Sequence, residues 1–309
     1  MRTAVVGVGH LGRHHARILA SMPGVTLAGV VDTNAARAEA IAAANGTTAH
    51  ADWREIAGGI DAAVVAVPTE AHLQVARSLL EAGVHTLVEK PLARTVEEAD
   101  DLIAAAGRSG RVLAVGHSER FNPAVMAARP YVNDPRFIEV HRLGTFPDRS
   151  LDIDVVFDLM IHDLDLILTL VASDVEGVEA VGVPVLTPRI DIANARVRFA
   201  NGCIANLTAS RISREPVRKV RFFQRDAYVS IDTAAREVEM WRLVPQAGAI
   251  PKIGGGRIEV PDHEPLRCEL EDFIEAVRQG RPPAVSGEQG RAALQLAARI
   301  VELMDRHGH

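Results

Sequence analysis

A valine-rich run, RTAVVGV, passes without a spacer through Gly7-Val8-Gly9-His10-Leu11-Gly12 into RHHARILASM, whose apolar residues recur at helical spacing. Strand, glycine turn and helix in that order constrain the fold more than any other feature of the chain. Gly7 permits the tight turn, Gly9 lets a pyrophosphate approach the backbone, and Gly12 allows close packing of helix on strand. Free N–H groups and the dipole at the helix start favour an anion there. The next strand-like run, VTLAGVVD, ends at Asp32, 20 residues past Gly12. An acid at that place meets the ribose hydroxyls of a dinucleotide and repels a 2′-phosphate. No arginine directly follows it, and Arg37 comes a helical turn later. The pattern predicts a site that takes NAD and disfavours NADP.

The alternation continues. TNAARAEAIAAANG reads as a helix stopped at Asn-Gly, DAAVVAVP as a strand, EAHLQVARSLLEAG as a helix, and VHTLVEK as a strand. TVEEADDLIAAAGRSG is a helix closed by glycine, and RVLAVGHS a last strand. Near-continuous apolar strands between helices predict a parallel, doubly wound sheet covered on both faces. This Rossmann-like domain is expected over residues 1–118. Residues 119–309 read differently. RFIEVHRLG, VRKVRFFQ, AYVSID and EVEMWRL are candidate strands, and IANARVRFANGCIANLTASRI turns on Asn201-Gly202, a strong hairpin signal. Helices are expected at about Pro265–Gln279 and Ser286–Arg306, and the Gly- and Pro-bearing stretch Gln246–Gly256 is expected to be a surface loop. The second domain is therefore α+β, built on an open, mainly antiparallel sheet.

The bulk properties exclude several function classes. A net charge of -6 gives no basic footprint for nucleic acid. No apolar stretch has the length of a signal peptide or of a membrane span. Cys203 and Cys268 are the two cysteines, far apart and in no metal-ligand spacing, which fits a reducing compartment. His14 and His15 are neighbours on one helix and so point apart; no metal is expected. The reading is a cytoplasmic protein without nucleic-acid or membrane partners.

Two places carry the chemistry. Lys90, in LVEKPLA, follows a strand, and ligands of doubly wound sheets lie beyond the carboxyl ends of strands. The second is FDLMIHDLDLIL, Phe157–Leu168, an apolar helix interrupted by Asp158, His162, Asp163 and Asp165. Burying a carboxylate without partners costs several kcal/mol. Asp154, Asp158, His162 and Asp165 follow one another at i, i+4, i+8 and i+11, a single helical stripe, with Asp163 off it. An enclosed helix with one polar stripe is expected to present it to a ligand. Oxidising an alcohol needs a hydride acceptor, a base for the hydroxyl proton and a cation beside the developing alkoxide; histidine titrates in the useful range.

Gly7-x-Gly9-x-x-Gly12, Glu89-Lys90-Pro91, Arg120-Phe121-Asn122-Pro123 and Asp158-x-x-x-His162 occur in that order. On these motifs the chain resembles, along its whole length, the Gfo/Idh/MocA oxidoreductase family. The resemblance implies an N-terminal Rossmann domain, a C-terminal domain whose sheet mediates assembly into a homodimer or homotetramer, and a cleft between them. It implies that Lys90 binds the reacting oxygen, with Asp158 and His162 beside it and His162 as acid/base. It implies cofactor contacts at His10, Leu11, Thr33, Pro68, Thr69, His72, Glu89 and Lys90, besides the three glycines and Asp32. Arg120, Asn122 and Arg149 are carried over as substrate contacts, and Arg142 offers a further arginine to a diphosphate. Within the family, GTFPDRSLDIDVVFDLMIHDLDLIL and RKVRFFQRDAYVSID are similar to sugar-nucleotide 3-dehydrogenases. This implies hydride transfer from C3 of a UDP-sugar such as UDP-N-acetylglucosamine. A dehydrogenase of a free sugar or an inositol, and a non-catalytic NAD-binding regulator, are the alternatives; the complete Lys90, Asp158 and His162 set argues against the regulator.

Overall fold

The computed structural model describes residues 1–146, 153–246 and 249–307. The chain divides into two compact units, residues 1–118 with 266–294, and residues 119–265 with 295–309.

The first unit holds six strands: β1 (Arg2–Val6), β2 (Thr26–Val31), β3 (Ala49–His50), β4 (Ala62–Val65), β5 (His85–Glu89) and β6 (Leu113–Gly116). They form one sheet in the order β3-β2-β1-β4-β5-β6, and every pairing is parallel. This is the strand order of a dinucleotide-binding Rossmann fold. The alanine and valine runs suit it, since β4 is buried throughout. Four helices connect the strands: α1 (Gly12–Ser21), α2 (Ala35–Asn45), α3 (His72–Glu81) and α4 (Val96–Ser109). Asn34 and Thr95 cap α2 and α4 by accepting the N–H of Arg37 and Glu98. Gly46 and Gly110 end the same helices with φ of 62° and 63°, a conformation that favours glycine. The two-residue strand β3 leaves no periodic signal and was not expected.

The second unit contains α5 (Pro123–Ala128), β7 (Phe137–Leu143), α6 (Ile161–Val171), β8 (Val175–Val183), β9 (Ile192–Phe199), β10 (Ile204–Ser210), β11 (Val217–Phe223), β12 (Ala227–Asp232), β13 (Glu237–Gln246) and β14 (Ala249–Ile258). Its eight-stranded sheet runs β14-β13-β12-β11-β7-β10-β9-β8. Only β7 and β10 pair in parallel; the other pairings are antiparallel. The Asn201-Gly202 hairpin forms as expected between β9 and β10, with Gly202 at φ 83°. Alternate residues of β9 are buried, as a strand with one covered face requires.

Two expectations are corrected. Gln246–Gly256 is not a loop: apart from residues 247 and 248, which lie outside the description, it is strand, because β14 pairs with β13 from Gln246 back to Val238. Gly255 allows it, for a Cβ there would stand 2.0 Å from the Met240 carbonyl oxygen. Composition suggested a loop, whereas the glycines serve a close backbone approach. The second correction concerns the chain's return. α7 (Pro265–Gln279) and α8 (Gly287–His307) stand where two helices were expected, but residues 266–294 belong to the first unit. Leu270, Phe273 and Ile274 of α7 join a core with Val5, Ile18, Leu19, Val30 and Leu87. Burying each such side chain stabilises the packing by roughly 1.5–3 kcal/mol.

Candidate active site

In the first unit the expected cofactor residues gather at the carboxyl ends of β1, β2, β4 and β5, one edge of a parallel sheet. Gly7 has φ 86°, and its Cβ would strike the Ala66 carbonyl at 2.6 Å. A Cβ on Gly12 would lie 1.8 Å from the Gly7 carbonyl oxygen, so helix and turn touch only because both residues are glycine. Nothing lies within 4 Å of a Cβ on Gly9. That open space, beside the start of α1, fits the approach of a pyrophosphate. Leu11 precedes α1 with no side-chain cap on the first turn, which carries no acidic residue, so the anion-favouring end keeps its polarity. His10 and Leu11 are exposed at this edge, as is Thr33.

Asp32, at the end of β2, is almost wholly buried. Its Oδ2 accepts the Val8 N–H at 3.0 Å and its Oδ1 the Asn34 N–H at 2.9 Å. Arg37 donates to both oxygens, from Nε at 2.9 Å and from Nη2 at 2.7 Å. Burial pushes the Asp32 carboxyl up, but the Arg37 fork and the two backbone N–H groups outweigh it and hold the carboxyl below its usual range. The acid is thus ionised and fixed, and a half-exposed guanidinium lies on it.

Pro68 and Thr69 follow β4, and His72 opens α3. The His72 ring is buried, with Nδ1 3.0 Å from the Pro91 carbonyl oxygen and Nε2 3.0 Å from that of Val67. Glu89 ends β5. Its Oε1 meets His15 Nε2 at 2.7 Å, and its Oε2 accepts the Lys90 N–H at 3.2 Å. Burial raises the Glu89 carboxyl, and His15 and Lys90 bring it below the ordinary value. Lys90 is half-buried, and the bond from Lys90 to Pro91 is cis. Glu269 of α7 is fully enclosed, and neither of its oxygens has a hydrogen-bond partner among the described residues. Burial, with Glu89 and Asp272 adding negative charge, pushes its carboxyl well above the usual range. The buried surroundings thus favour its protonated form.

In the second unit the acidic helix begins with a wide turn. Val156–Met160 is π-helical, closed by the Ile161 N–H to the Val156 carbonyl, and α6 follows. Such turns interrupt α-helical spacing and often mark functional positions. Asp158 sits in the wide turn and His162 just after it, and both are half-buried. The expected stripe does not extend beyond them. Asp154 Oδ1 accepts the Ile190 N–H at 2.9 Å. Asp165 is buried against Arg120, which donates from Nε and Nη2 at 2.6 Å each. Asp163 takes an Arg142 fork at 2.7 Å on each oxygen, and Arg142 also reaches Glu119 at 2.7 Å. Burial raises the Asp163 carboxyl despite Arg142, while Arg142 brings Glu119 below its usual value. One guanidinium therefore serves two enclosed carboxylates.

These pairings bear on the residues expected to meet substrate. Arg142 is enclosed and engaged by Asp163 and Glu119, so the expectation that it meets a diphosphate is corrected. Arg120 is committed to Asp165. Asn122 caps α5, accepts the Ala124 N–H at 3.0 Å and donates to the Thr233 carbonyl at 3.1 Å. Arg149 lies outside the described residues. Asp158 and His162 remain as the half-exposed members of the acidic helix. Sequence reasoning missed His15 and Glu269. Each left a signal: a polar residue on the apolar face of an amphipathic helix. Among the described residues no group of three or more His, Cys, Asp or Glu is placed to hold a metal ion, and no helix is long and apolar enough to cross a membrane.

Residues 1–117 match the family described as an oxidoreductase family with an NAD-binding Rossmann fold, and residues 103–226 match the GFO/IDH/MocA C-terminal domain. A UDP-N-acetylglucosamine 3-dehydrogenase of Acidithiobacillus ferrooxidans is 42% identical over 97% of this chain and 96% of its own. The chain belongs to the GFO/IDH/MocA family. It is an oxidoreductase with an NAD-binding Rossmann fold. The solved structure of the Acidithiobacillus enzyme matches 99% of the chain and 98% of its own with a TM-score of 0.93 at 40% identity. An inositol 2-dehydrogenase of Rhizobium meliloti is 29% identical over 97% of this chain and 96% of its own. A levoglucosan dehydrogenase solved with NADH, 20% identical, shares the fold with a TM-score of 0.89 over 99% of this chain and 97% of its own.

Proposed function

We propose that the chain oxidises C3 of a UDP-sugar, with UDP-N-acetylglucosamine as the first substrate to try, and uses NAD in preference to NADP. The observation that carries this reading is the 42% identity, over nearly the whole of both chains, to an enzyme named for that reaction. Asp32 supports the cofactor choice, since its ionised carboxylate is fixed where a ribose would lie and disfavours a 2′-phosphate.

NAD, when bound, supplies the hydride acceptor. The chain's own residues do the rest. Lys90 binds the reacting oxygen and its ammonium stabilises the alkoxide as the O–H proton leaves. His162 takes that proton. Asp158, four residues earlier, orients the imidazole and favours its protonated form. The buried ion pairs Arg120–Asp165 and Arg142–Asp163 flank His162 in sequence and fix the helix that carries it. Incubating the protein with NAD and a panel of UDP-sugars, free sugars and inositols, and following NADH absorbance, tests the reading. The highest kcat/KM on UDP-N-acetylglucosamine is expected. Preference for an inositol or a free sugar overturns the substrate, and absence of turnover on every member overturns the dehydrogenase reading in favour of a regulator.

A further inference from the structure

His72 poses a chemical problem that the proposed reaction does not use. Its two ring nitrogens each face a backbone carbonyl oxygen at 3.0 Å, Pro91 on one side and Val67 on the other. The ring is 1% exposed, so water does not share these contacts. A carbonyl has no proton to give, and a neutral imidazole carries one N–H. A neutral His72 therefore makes one hydrogen bond and sets a bare nitrogen against the other oxygen. An imidazolium makes both. The carbonyls belong to different loops. Val67 precedes Pro68 and Thr69 after β4, and Pro91 follows Lys90 after β5, so one ring spans the ends of two adjacent strands.

We infer that His72 is a positioning residue for Lys90: its ring ties the Lys90–Pro91 turn to the loop after β4, and holds both together only when it carries two protons. This rests on the reading of Lys90 as the residue that meets the reacting oxygen. The charged groups acting on the ring are Glu89, at the end of β5, and Glu98, on α4; both favour the imidazolium. Glu98 is itself paired with Arg94. Burial opposes them and prevails, so the second proton is gained on the acid side of the ordinary histidine value. In the neutral ring one loop is released from the clamp.

Two measurements test this. The first needs no substrate. In ¹⁵N-labelled protein, with His72 assigned through its own backbone, ring-nitrogen resonances are followed from about pH 8 to about pH 5, a range that spans ordinary histidine titration. One ring proton at high pH and two slowly exchanging ring protons at low pH are expected. A ring that keeps a single proton throughout, or whose second proton exchanges as fast as that of an exposed histidine, overturns the clamp. The second is a double-mutant cycle on kcat. His72→Gln, which has donors at one end of its amide only, is expected to lower kcat at least about tenfold in the wild type at the acid end of that pH range, where the ring carries both protons. In a Lys90→Met background it should cost less than about twofold, because the residue it acts through is gone. Equal factors in both backgrounds overturn the positioning role and leave His72 as a structural residue. If the wild type turns over none of the alcohols, the functional reading fails, and the resonance titration still decides the clamp. Should His72→Gln not melt cooperatively, His72→Asn takes its place.

Discussion

Glu269 offers a test in which magnitude and sign both follow from its surroundings. The side chain is 2% exposed and its two oxygens have no hydrogen-bond partner among the described residues, with Glu89 and Asp272 as negative neighbours. Folding therefore requires Glu269 to stay protonated, whereas the unfolded chain releases that proton above about pH 4.5. A raised folded value means that stability is fully retained below the unfolded value and is lost as pH rises above it. The loss levels off once pH passes the folded value. Each pH unit in that window costs about 1.4 kcal/mol. Glu269→Gln keeps the shape and neutrality of the acid and removes the titration. Near pH 4 the variant should match the wild type. By pH 7 it should be more stable, and each kcal/mol should raise the melting temperature by roughly 2–4 °C for a domain of this size. The assay is thermal melting of both proteins in parallel across this pH range. A variant that is no more stable than wild type at pH 7, or that loses stability there relative to pH 4, refutes the reasoning. Glu269 would then be ionised in the folded chain and held by a partner.

Three further outcomes follow from the geometry. NAD should bind at least about tenfold more tightly than NADP, about 1.4 kcal/mol; calorimetric titration giving equal affinities would remove the argument from Asp32, and Arg37 would then be the group that turns to a 2′-phosphate. Asp165→Ala should cost about 3–5 kcal/mol, because it removes the buried carboxylate that accepts two hydrogen bonds from Arg120; a denaturation midpoint within error of wild type would show that the pair contributes nothing. Assembly should give a closed homodimer or homotetramer, since Phe223, Tyr228 and Phe137 stack on the outward face of the second unit's sheet and Trp241 is exposed there too. Light scattering that finds only a 33.2 kDa species at micromolar concentration contradicts it.

Much of the fold was legible because burial on both faces of a parallel sheet forces near-continuous apolar runs, and RTAVVGV, DAAVVAVP and VHTLVEK are such runs. The helix stops at Gly46 and Gly110 were legible too, since each answers a local need. The strand β14 was not, because its glycines read as loop until the neighbouring backbone of Met240 is known. The candidate site divides in the same way. The glycine loop, Asp32 and Lys90 are set by position along a strand. The helix after Phe157 is different, since its polar stripe was read from α-helical spacing. The wide turn at Val156–Met160 changes that spacing, and the partners of Asp163 and Asp165 come from Arg142 and Arg120, far away in sequence. Contacts of that kind, like those of His15 with Glu89, are decided by tertiary packing, which no local pattern records.

The central claim is that His162 is the base in oxidation of a sugar alcohol. The most direct measurement compares His162→Asn with wild type on UDP-N-acetylglucosamine at saturating NAD, with NAD affinity measured on both. The account predicts a fall in kcat of about 10²–10⁴, the usual worth of positioned acid–base catalysis, with NAD affinity unchanged, because the glycine loop and Asp32 lie on other elements. It also predicts that the rise of wild-type kcat/KM with pH as His162 loses its proton is absent from the variant. A variant that keeps more than about a third of wild-type kcat, far above that expected loss, contradicts the claim, and the half-buried histidine after the wide turn is then a structural residue.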